Sequence, residues 1–275
     1  MNNIIQLQNG NEVYYRCVAG DGDKPCLVFL HDALGCTALW KDFPDNLCRL
    51  TGCPGLVYDR SGYGLSSPLH RARTIHYLHE YALNELPEVL EKVMPGRTYI
   101  LIGHSDGGSI NLIFGAEKPA LLMAIITEAP HVFVEPETLR GIAVAEKAYN
   151  NGQFRGLAKY HGEKAETVFR TWVDTWCSEW FTSWNIEYLL PSIVCPLLIL
   201  QGRQDQYGTD RQVATIVAKA SGQARSVFIE NCGHTPHQEQ PEKVLQIFAE
   251  YIGRLLNGCS QADRYPPGCC VTPRP

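Results

Sequence analysis

Seven short apolar runs, rich in Val, Ile, Leu and Tyr, recur along the chain. They occupy positions 12–18, 25–31, 55–59, 99–103, 121–129, 196–202 and 226–230. From the second run onward the apolar residues are continuous instead of alternating with polar ones, which is typical of strands covered on both faces. The pattern therefore predicts a largely buried β-sheet.

Segments of helical length separate most of these runs. They span 74–94, 108–117, 211–220 and 241–256. Thr74 is a suitable N-cap for the first, Pro87 is expected to kink that helix or to start a new turn, and Pro241 opens the last helix where proline is tolerated. Strands that alternate with helices predict an α/β fold, in which helices cover both faces of a mostly parallel sheet.

Residues 131–190 interrupt this alternation, because their pattern is helical and poor in strands. The segment lies between two predicted strands, so we predict a helical cap over one end of the sheet, with residues 1–130 and 191–258 forming the core. The last residues, 259–275, contain four prolines and no periodicity. They are predicted to form an irregular tail.

Charge and composition exclude several classes of function. The net charge is −5, and Lys and Arg are scattered singly, which argues against a nucleic-acid partner. Residues 1–16 do not resemble a secretory signal, and no apolar run approaches the ~18 residues of a membrane span. We therefore expect a cytoplasmic protein without a membrane partner.

The chain has eleven cysteines, an odd number, and none of them has zinc-finger spacing, so most are expected to be reduced. The oligomeric state stays open.

The stretch YILIGHSDGGS, at 99–109, places Ser105 in a G-x-S-x-G motif between a predicted strand and a predicted helix. A nucleophile held on such a tight turn needs neighbours without bulky Cβ groups, because its own backbone is strained. The motif alone occurs by chance in many chains. Its context here predicts that Ser105 is a nucleophile.

A serine hydroxyl becomes a good nucleophile when a histidine takes its proton and an acid orients that histidine. Asp205 follows the run at 196–202, and His234 follows the run at 226–230. Since the carboxyl ends of parallel strands meet at one edge, both residues are expected near Ser105. The alternatives are that Asp205 caps the following turn and that His234 is a loop histidine. His104 and His237 are interpreted as structural.

The oxyanion formed after attack needs backbone N–H donors. Asp106, directly after the nucleophile, is predicted to supply one. Ala33, in the loop FLHDALG at 29–35, is predicted to supply the other.

The tryptophans of the cap segment recur every four residues, which places them along one helix face. They are Trp172, Trp176, Trp180 and Trp184. This face either packs the cap onto the sheet or roofs an apolar pocket over the nucleophile, and both functions are compatible with the pattern. His131, at the entry to the cap, is either a pocket residue or a hinge residue. The predicted pocket residues are Asp32, His131, Trp172, Trp176 and Trp180.

The motifs LHDALG, YDRSGYGLSS, GHSDGG, LILQGRQD and CGHTPHQEQPE together resemble the α/β-hydrolase superfamily, over residues 12–256. The resemblance implies an eight-stranded, mostly parallel sheet with a helical cap between strands 6 and 7. It implies Ser105 as nucleophile, Asp205 as acid and His234 as base, with Asp106 and Ala33 as oxyanion donors. The chain departs from the family at Asp32, where the family usually has glycine. A carboxylate there disfavours an oxyanion unless it points away.

A serine nucleophile sets the chain apart from the haloalkane dehalogenases and epoxide hydrolases of this superfamily, which carry aspartate. The resemblance favours hydrolysis of a small carboxylic ester or lactone through an acyl-serine, with no metal or organic cofactor. A thioesterase, a C–C bond hydrolase of the ring-cleavage type, a haloperoxidase, a hydroxynitrile lyase and a non-catalytic ligand receptor remain alternatives. Cys36 and Cys232 flank the site in sequence, so bulky thiol reagents are expected to slow the enzyme.

Overall fold

The computed structural model describes residues 3–69 and 71–258, so the predicted tail at 259–275 lies outside the described residues. Eight strands form one sheet. They are β1 (Ile4–Gln6), β2 (Glu12–Val18), β3 (Cys26–Leu30), β4 (Gly55–Tyr58), β5 (Tyr99–His104), β6 (Leu122–Glu128), β7 (Leu197–Gly202) and β8 (Ala224–Ile229). Their order is β1-β2-β4-β3-β5-β6-β7-β8. Strands β3 to β8 pair in parallel, whereas β2 pairs antiparallel with both β1 and β4. The predicted mostly parallel sheet is confirmed.

Helices cover both faces of this sheet. The helices are α1 (Phe43–Thr51), α2 (Tyr77–Glu80), α3 (Leu86–Val93), α4 (Asp106–Ala116), α5 (Pro136–Asn150), α6 (Leu157–His161), α7 (Ala165–Trp176), α8 (Asp210–Lys219), α9 (Pro236–Glu239) and α10 (Pro241–Leu256). A hydrophobic core lies on each face of the sheet, and alternate residues of one strand pack into different cores, because successive side chains point to opposite faces. Leu27 and Phe29 pack with α1 and α10, whereas Val28 and Leu30 pack with α3, α4 and α8.

The helical segment that begins at Tyr77 contains Pro87, as the sequence indicates. A π-helical turn, Tyr81–Glu85, separates α2 from α3, and Pro87 follows it in the first turn of α3. Proline has no N–H with which to continue the helical hydrogen-bond ladder, and a wider turn accommodates this loss without ending the helix. The predicted interruption therefore takes the form of a local widening.

A helical insert lies between β6 and β7, as predicted. It contains α5, α6, α7 and short 3-10 turns. In this part of the chain, whose residues are all described, β pairing is limited to one isolated bridge between Phe133 and Asn185. The division into a core and a cap domain at residues 131 and 190 stays a prediction. None of the helices in residues 3–69 and 71–258 is long and apolar enough to cross a membrane.

Candidate active site

Ser105 occupies a strained turn between the end of β5 and the start of α4. Its backbone has φ 52° and ψ −116°, a left-handed conformation that is uncommon for a residue with a side chain. A Cβ at Gly103 would lie 2.3 Å from the carbonyl oxygen of Gly107, and a Cβ at Gly107 would lie 2.1 Å from that of Leu30. The two glycines of the motif are therefore required by the close approach of the backbone on either side of Ser105.

Ser105, His234 and Asp205 form a continuous hydrogen-bonded chain. The Oγ of Ser105 lies 3.0 Å from His234 Nε2, and His234 Nδ1 lies 2.9 Å from both carboxylate oxygens of Asp205. An ionised carboxylate only accepts hydrogen bonds, so Nδ1 carries the proton and Nε2 accepts the hydroxyl of Ser105. The imidazole is therefore in the tautomer that can receive a proton from serine.

Charge pairing governs the titration of this pair. Burial alone would raise the pKa of Asp205, but the neighbouring His234 outweighs it and holds that pKa below its usual value. Burial alone would lower the pKa of His234, but the charge of Asp205 and its hydrogen bond raise it above 6.5. Each residue thus favours the charged form of the other.

Close packing of two loops places His234 over Asp205. The loop after β7 donates from Arg203 N to Ile229 O and from Gln204 N to Cys232 O, at 2.9 and 2.8 Å. A Cβ at Gly202 would lie 2.0 Å from the carbonyl oxygen of Gly233, so glycine is needed for this approach. The carboxyl ends of β7 and β8 are thereby locked together.

The histidines interpreted as structural each make specific contacts behind the site. His104 Nε2 lies 2.7 Å from the carbonyl oxygen of His234, which ties the residue before Ser105 to the loop of the base. His237 Nδ1 lies 2.7 Å from Glu128 Oε2, and its ring stacks on Trp40 with centroids 4.4 Å apart. Both contacts fix the loop after β8 against the sheet.

The two residues predicted to donate to an oxyanion lie beside Ser105. Asp106 begins α4, where the first N–H groups of a helix have no intrahelical acceptor. Its buried carboxylate accepts a hydrogen bond from the Tyr77 hydroxyl at 3.0 Å and lies 3.9 Å from Arg60 Nη1. Ala33 follows β3 and lines the same cavity as Ser105. Arg60 supports its loop by donating to the carbonyl oxygen of Asp32 at 2.7 Å.

A cavity of about 340 Å³ opens onto Ser105 beneath the insert. Four of the five predicted pocket residues line it, namely Asp32, His131, Trp172 and Trp176. Trp180 does not, because it is 45% exposed and packs edge-on against Phe181. The single helix face assumed for the tryptophans is wrong: α7 ends at Trp176, and the chain turns before Trp180 and Trp184.

Sequence reasoning missed several residues of the cavity wall. They are Leu34, Leu39, Thr138, Ile142, Phe154, Leu157, Gln206, Tyr207, Thr235 and Gln238. The Tyr207 ring contacts His234 edge-on, with centroids 4.8 Å apart. The position of Tyr207, two residues after Asp205, could have identified it as a wall residue. The wall residues on α5 and α6 lie in no recognisable motif, so the sequence offers no comparable signal for them.

Within residues 3–69 and 71–258, His, Cys, Asp and Glu nowhere form a group of three that could hold a metal ion.

Comparison with known proteins agrees with this architecture. The human monoglyceride lipase is 25% identical over an alignment that covers 75% of each chain. A proline iminopeptidase of Saccharolobus solfataricus is 23% identical over an alignment that covers 90% of this chain and 91% of that protein. The enol-lactonase of Burkholderia xenovorans LB400 has the same fold, with a TM-score of 0.71 at 17% identity over 91% of this chain and 99% of that one. The model of the Alpha/beta hydrolase family matches residues 27–247. The chain therefore belongs to the Alpha/beta hydrolase family.

Proposed function

We propose that this protein is a serine hydrolase that cleaves a small carboxylic ester or lactone through an acyl-Ser105 intermediate. The observation that carries the proposal is the hydrogen-bonded chain from Asp205 through His234 to Ser105, with 3.0 Å between His234 Nε2 and the serine oxygen. It supplies what a serine nucleophile needs, which is a base in contact with its hydroxyl and an acid that orients the base.

In the proposed reaction Ser105 attacks the carbonyl carbon while its proton passes to His234 Nε2. The backbone N–H groups of Ala33 and Asp106 stabilise the oxyanion, and the imidazolium then protonates the leaving alcohol. Water, deprotonated by His234, hydrolyses the acyl-enzyme and regenerates the serine. In a lactone the leaving alcohol stays attached to the acyl chain, so the same steps open the ring.

The size and lining of the cavity support a small, partly apolar substrate. A volume of about 340 Å³ lies at the lower end of ligand pockets, and Trp172, Trp176 and Phe154 supply apolar walls. Relatives of this chain include a lipase and an iminopeptidase by name, so esters and amides both belong in the first substrate panel.

Labelling with a fluorophosphonate probe tests the proposal. Wild type is expected to take up the probe, and Ser105→Ala is expected to take up none, because the probe reports an activated serine. A panel of p-nitrophenyl esters, small lactones and proline p-nitroanilide then identifies the class of bond. A folded wild type that takes up no probe would contradict the proposal and favour a ligand receptor on the same fold.

A further inference from the structure

Asp32 places a carboxylate on the cavity wall without a cationic partner. The side chain is 32% exposed and lines the cavity beside Ser105. Its Oδ2 accepts one long hydrogen bond, 3.3 Å, from the N–H of Leu34. No Lys or Arg is among the described residues that line this cavity, and the other carboxylate there, that of Asp106, is already held by Tyr77 and Arg60. Among the described residues that line the cavity, Asp32 is therefore the carboxylate that no Lys or Arg side chain pairs with.

His104 presents a second acceptor beside this carboxylate. Its Nε2 lies 2.7 Å from the carbonyl oxygen of His234, which can only accept, so Nε2 carries the proton. Burial lowers the pKa of His104 to about 4, so the ring is neutral at pH 7 and Nδ1 offers a lone pair. This Nδ1 lies 3.8 Å from Asp32 Oδ1. Two acceptors thus face each other at the wall, an arrangement that a ligand with two N–H bonds satisfies.

The rest of the cavity favours a cation as well. His131 Nε2 lies 3.1 Å from the carbonyl oxygen of Tyr207, so its buried Nδ1, which has no protein partner, is a further acceptor. The rings of Trp172, Trp176 and Tyr207 line the same space. Aromatic faces attract cations electrostatically, more strongly where water is excluded. The lining thus combines a carboxylate with neutral histidines and aromatic rings, a composition that suits a cation better than an anion.

We propose that Asp32 and His104 form a subsite for a protonated amine carried by the substrate near its scissile carbonyl. The subsite lies close to the reacting atoms, because Asp32 and His104 line the same cavity as Ser105. An ammonium group has three donors and a positive charge, which match the two acceptors and the carboxylate. A substrate with a carboxylate at this point would be repelled by Asp32. The inference rests on the proposed hydrolase function and narrows its substrate class.

Three benzyl esters of nearly equal size test the subsite. The β-alanine ester carries an amine, the propanoate ester has hydrogen in its place, and the monobenzyl ester of succinate has a carboxylate there. In wild type, kcat/KM measured by release of benzyl alcohol is expected to be about tenfold or more higher for the amine than for the neutral ester, and lowest for the anion. Equal values for the amine and neutral esters would overturn the proposal, even if no variant could be purified.

The variant Asp32→Asn removes the charge while keeping an oxygen that can accept from Leu34 N. The ratio of kcat/KM for the amine ester to that for the neutral ester is expected to fall about tenfold, and this ratio cancels any general loss of activity. The matched control is Asp174→Asn, which makes the same charge change at an exposed site on α7. The control is expected to keep the wild-type ratio. An unchanged ratio in Asp32→Asn would contradict the subsite.

Calorimetry on Ser105→Ala separates this proposal from the proposed function, since this variant can bind esters without turning them over. Tighter binding of the β-alanine ester than of the propanoate ester, lost in Ser105→Ala with Asp32→Asn, would support the subsite even if wild type hydrolysed neither ester. Equal binding would overturn the subsite and leave the hydrolase proposal to the probe experiment.

Discussion

The two walls of the cavity are built on different physical principles. On the sheet side, Ser105, Asp205 and His234 are fixed by directional hydrogen bonds and by close backbone approach at glycines. On the insert side, most of the wall residues are aromatic or aliphatic and are positioned mainly by packing, such as the edge-on contact between Phe169 and Trp172 with centroids 5.7 Å apart. Hydrogen bonds fix atoms to within tenths of an ångström, as chemistry requires. Packing determines the volume and shape of the cavity, and these limit the size of the substrate that it can hold.

A hydrogen-bonded bridge connects the two walls. Trp176 Nε1, on the insert, donates to the Tyr77 hydroxyl at 3.0 Å, and Tyr77 donates to Asp106 Oδ2 at 3.0 Å. Asp106 begins the helix that follows Ser105. The position of the insert is therefore coupled to the turn that carries the proposed nucleophile. This comparison predicts large catalytic effects from the sheet side, stability effects from the insert side, and a mixed effect at the bridge.

The largest effect is expected from Asp205→Asn. An amide can donate to His234 Nδ1, which stabilises the wrong imidazole tautomer, so kcat on the best substrate of the panel should fall by about 10⁴-fold. The exposed Asp210, which pairs with Arg203, offers a control with the same charge change, and Asp210→Asn should change kcat less than about twofold. If Asp205→Asn kept a tenth of the activity, the assignment of the acid would be wrong.

Within the insert, two tryptophans should behave differently. Trp172 is buried in the cavity wall, so Trp172→Ala should lower the free energy of unfolding by about 3–5 kcal/mol and raise KM. Trp180 is exposed, and Trp180→Ala should lower the free energy of unfolding by about 0.5 kcal/mol or less. Urea unfolding measures both values. Equal destabilisation by the two changes would contradict the description of this wall.

Tyr77→Phe removes the bridge while keeping the ring. Trp176 Nε1 and the buried carboxylate of Asp106 each lose a partner, so the free energy of unfolding should fall by about 1–3 kcal/mol and kcat should fall more than KM rises. The control is Tyr188→Phe, which removes the hydroxyl of an exposed tyrosine. Loss of stability with unchanged kcat would show that the bridge serves the fold alone.

The pH profile should show an acid limb set by His234. The imidazole must be neutral to take the serine proton, and its pKa is raised above 6.5 by Asp205 against the opposing effect of burial. The kcat/KM should therefore fall as pH decreases, with its midpoint above pH 6.5. Asp32 is among the charges that raise this pKa, so Asp32→Asn should move the midpoint to lower pH. A shift to higher pH would contradict the sign of this interaction.

The smallest effect is expected from thiol reagents, which reverses the expectation drawn from the sequence. Cys36 and Cys232 are 2% and 1% exposed, and burial raises the pKa of each thiol to about 12, so neither supplies a reactive thiolate at neutral pH. Maleimide should react at the exposed Cys17 and Cys177 well before either. Mass mapping beside an activity assay checks this, and early modification of Cys36 with loss of activity would restore the first expectation.

Local pattern predicted most of the sheet because a covered strand needs a continuous apolar run. Strand β1, Ile4–Gln6, escaped this signal because it has three residues, two of them exposed, which are too few to show a pattern. Helix α1, Phe43–Thr51, also had no prediction. The prediction that the four tryptophans share one helix face was wrong for another reason. A period of four describes a helix, but the chain turns after Trp176, and side-chain spacing alone does not mark where a helix ends.

The sequence by itself determined the residues of the candidate chemistry. Ser105, Asp205 and His234 follow three strands whose carboxyl ends must meet, and glycines stand where the backbone leaves no room for a Cβ. The tertiary structure decided which side chains face the substrate: Trp172 lines the cavity and Trp180 does not, while Asp32 meets His104 across 3.8 Å. Strand-end positions follow from local pattern, because parallel strands share an edge. The facing of an inserted helix and the pairing of distant polar atoms depend on packing between segments far apart in the chain.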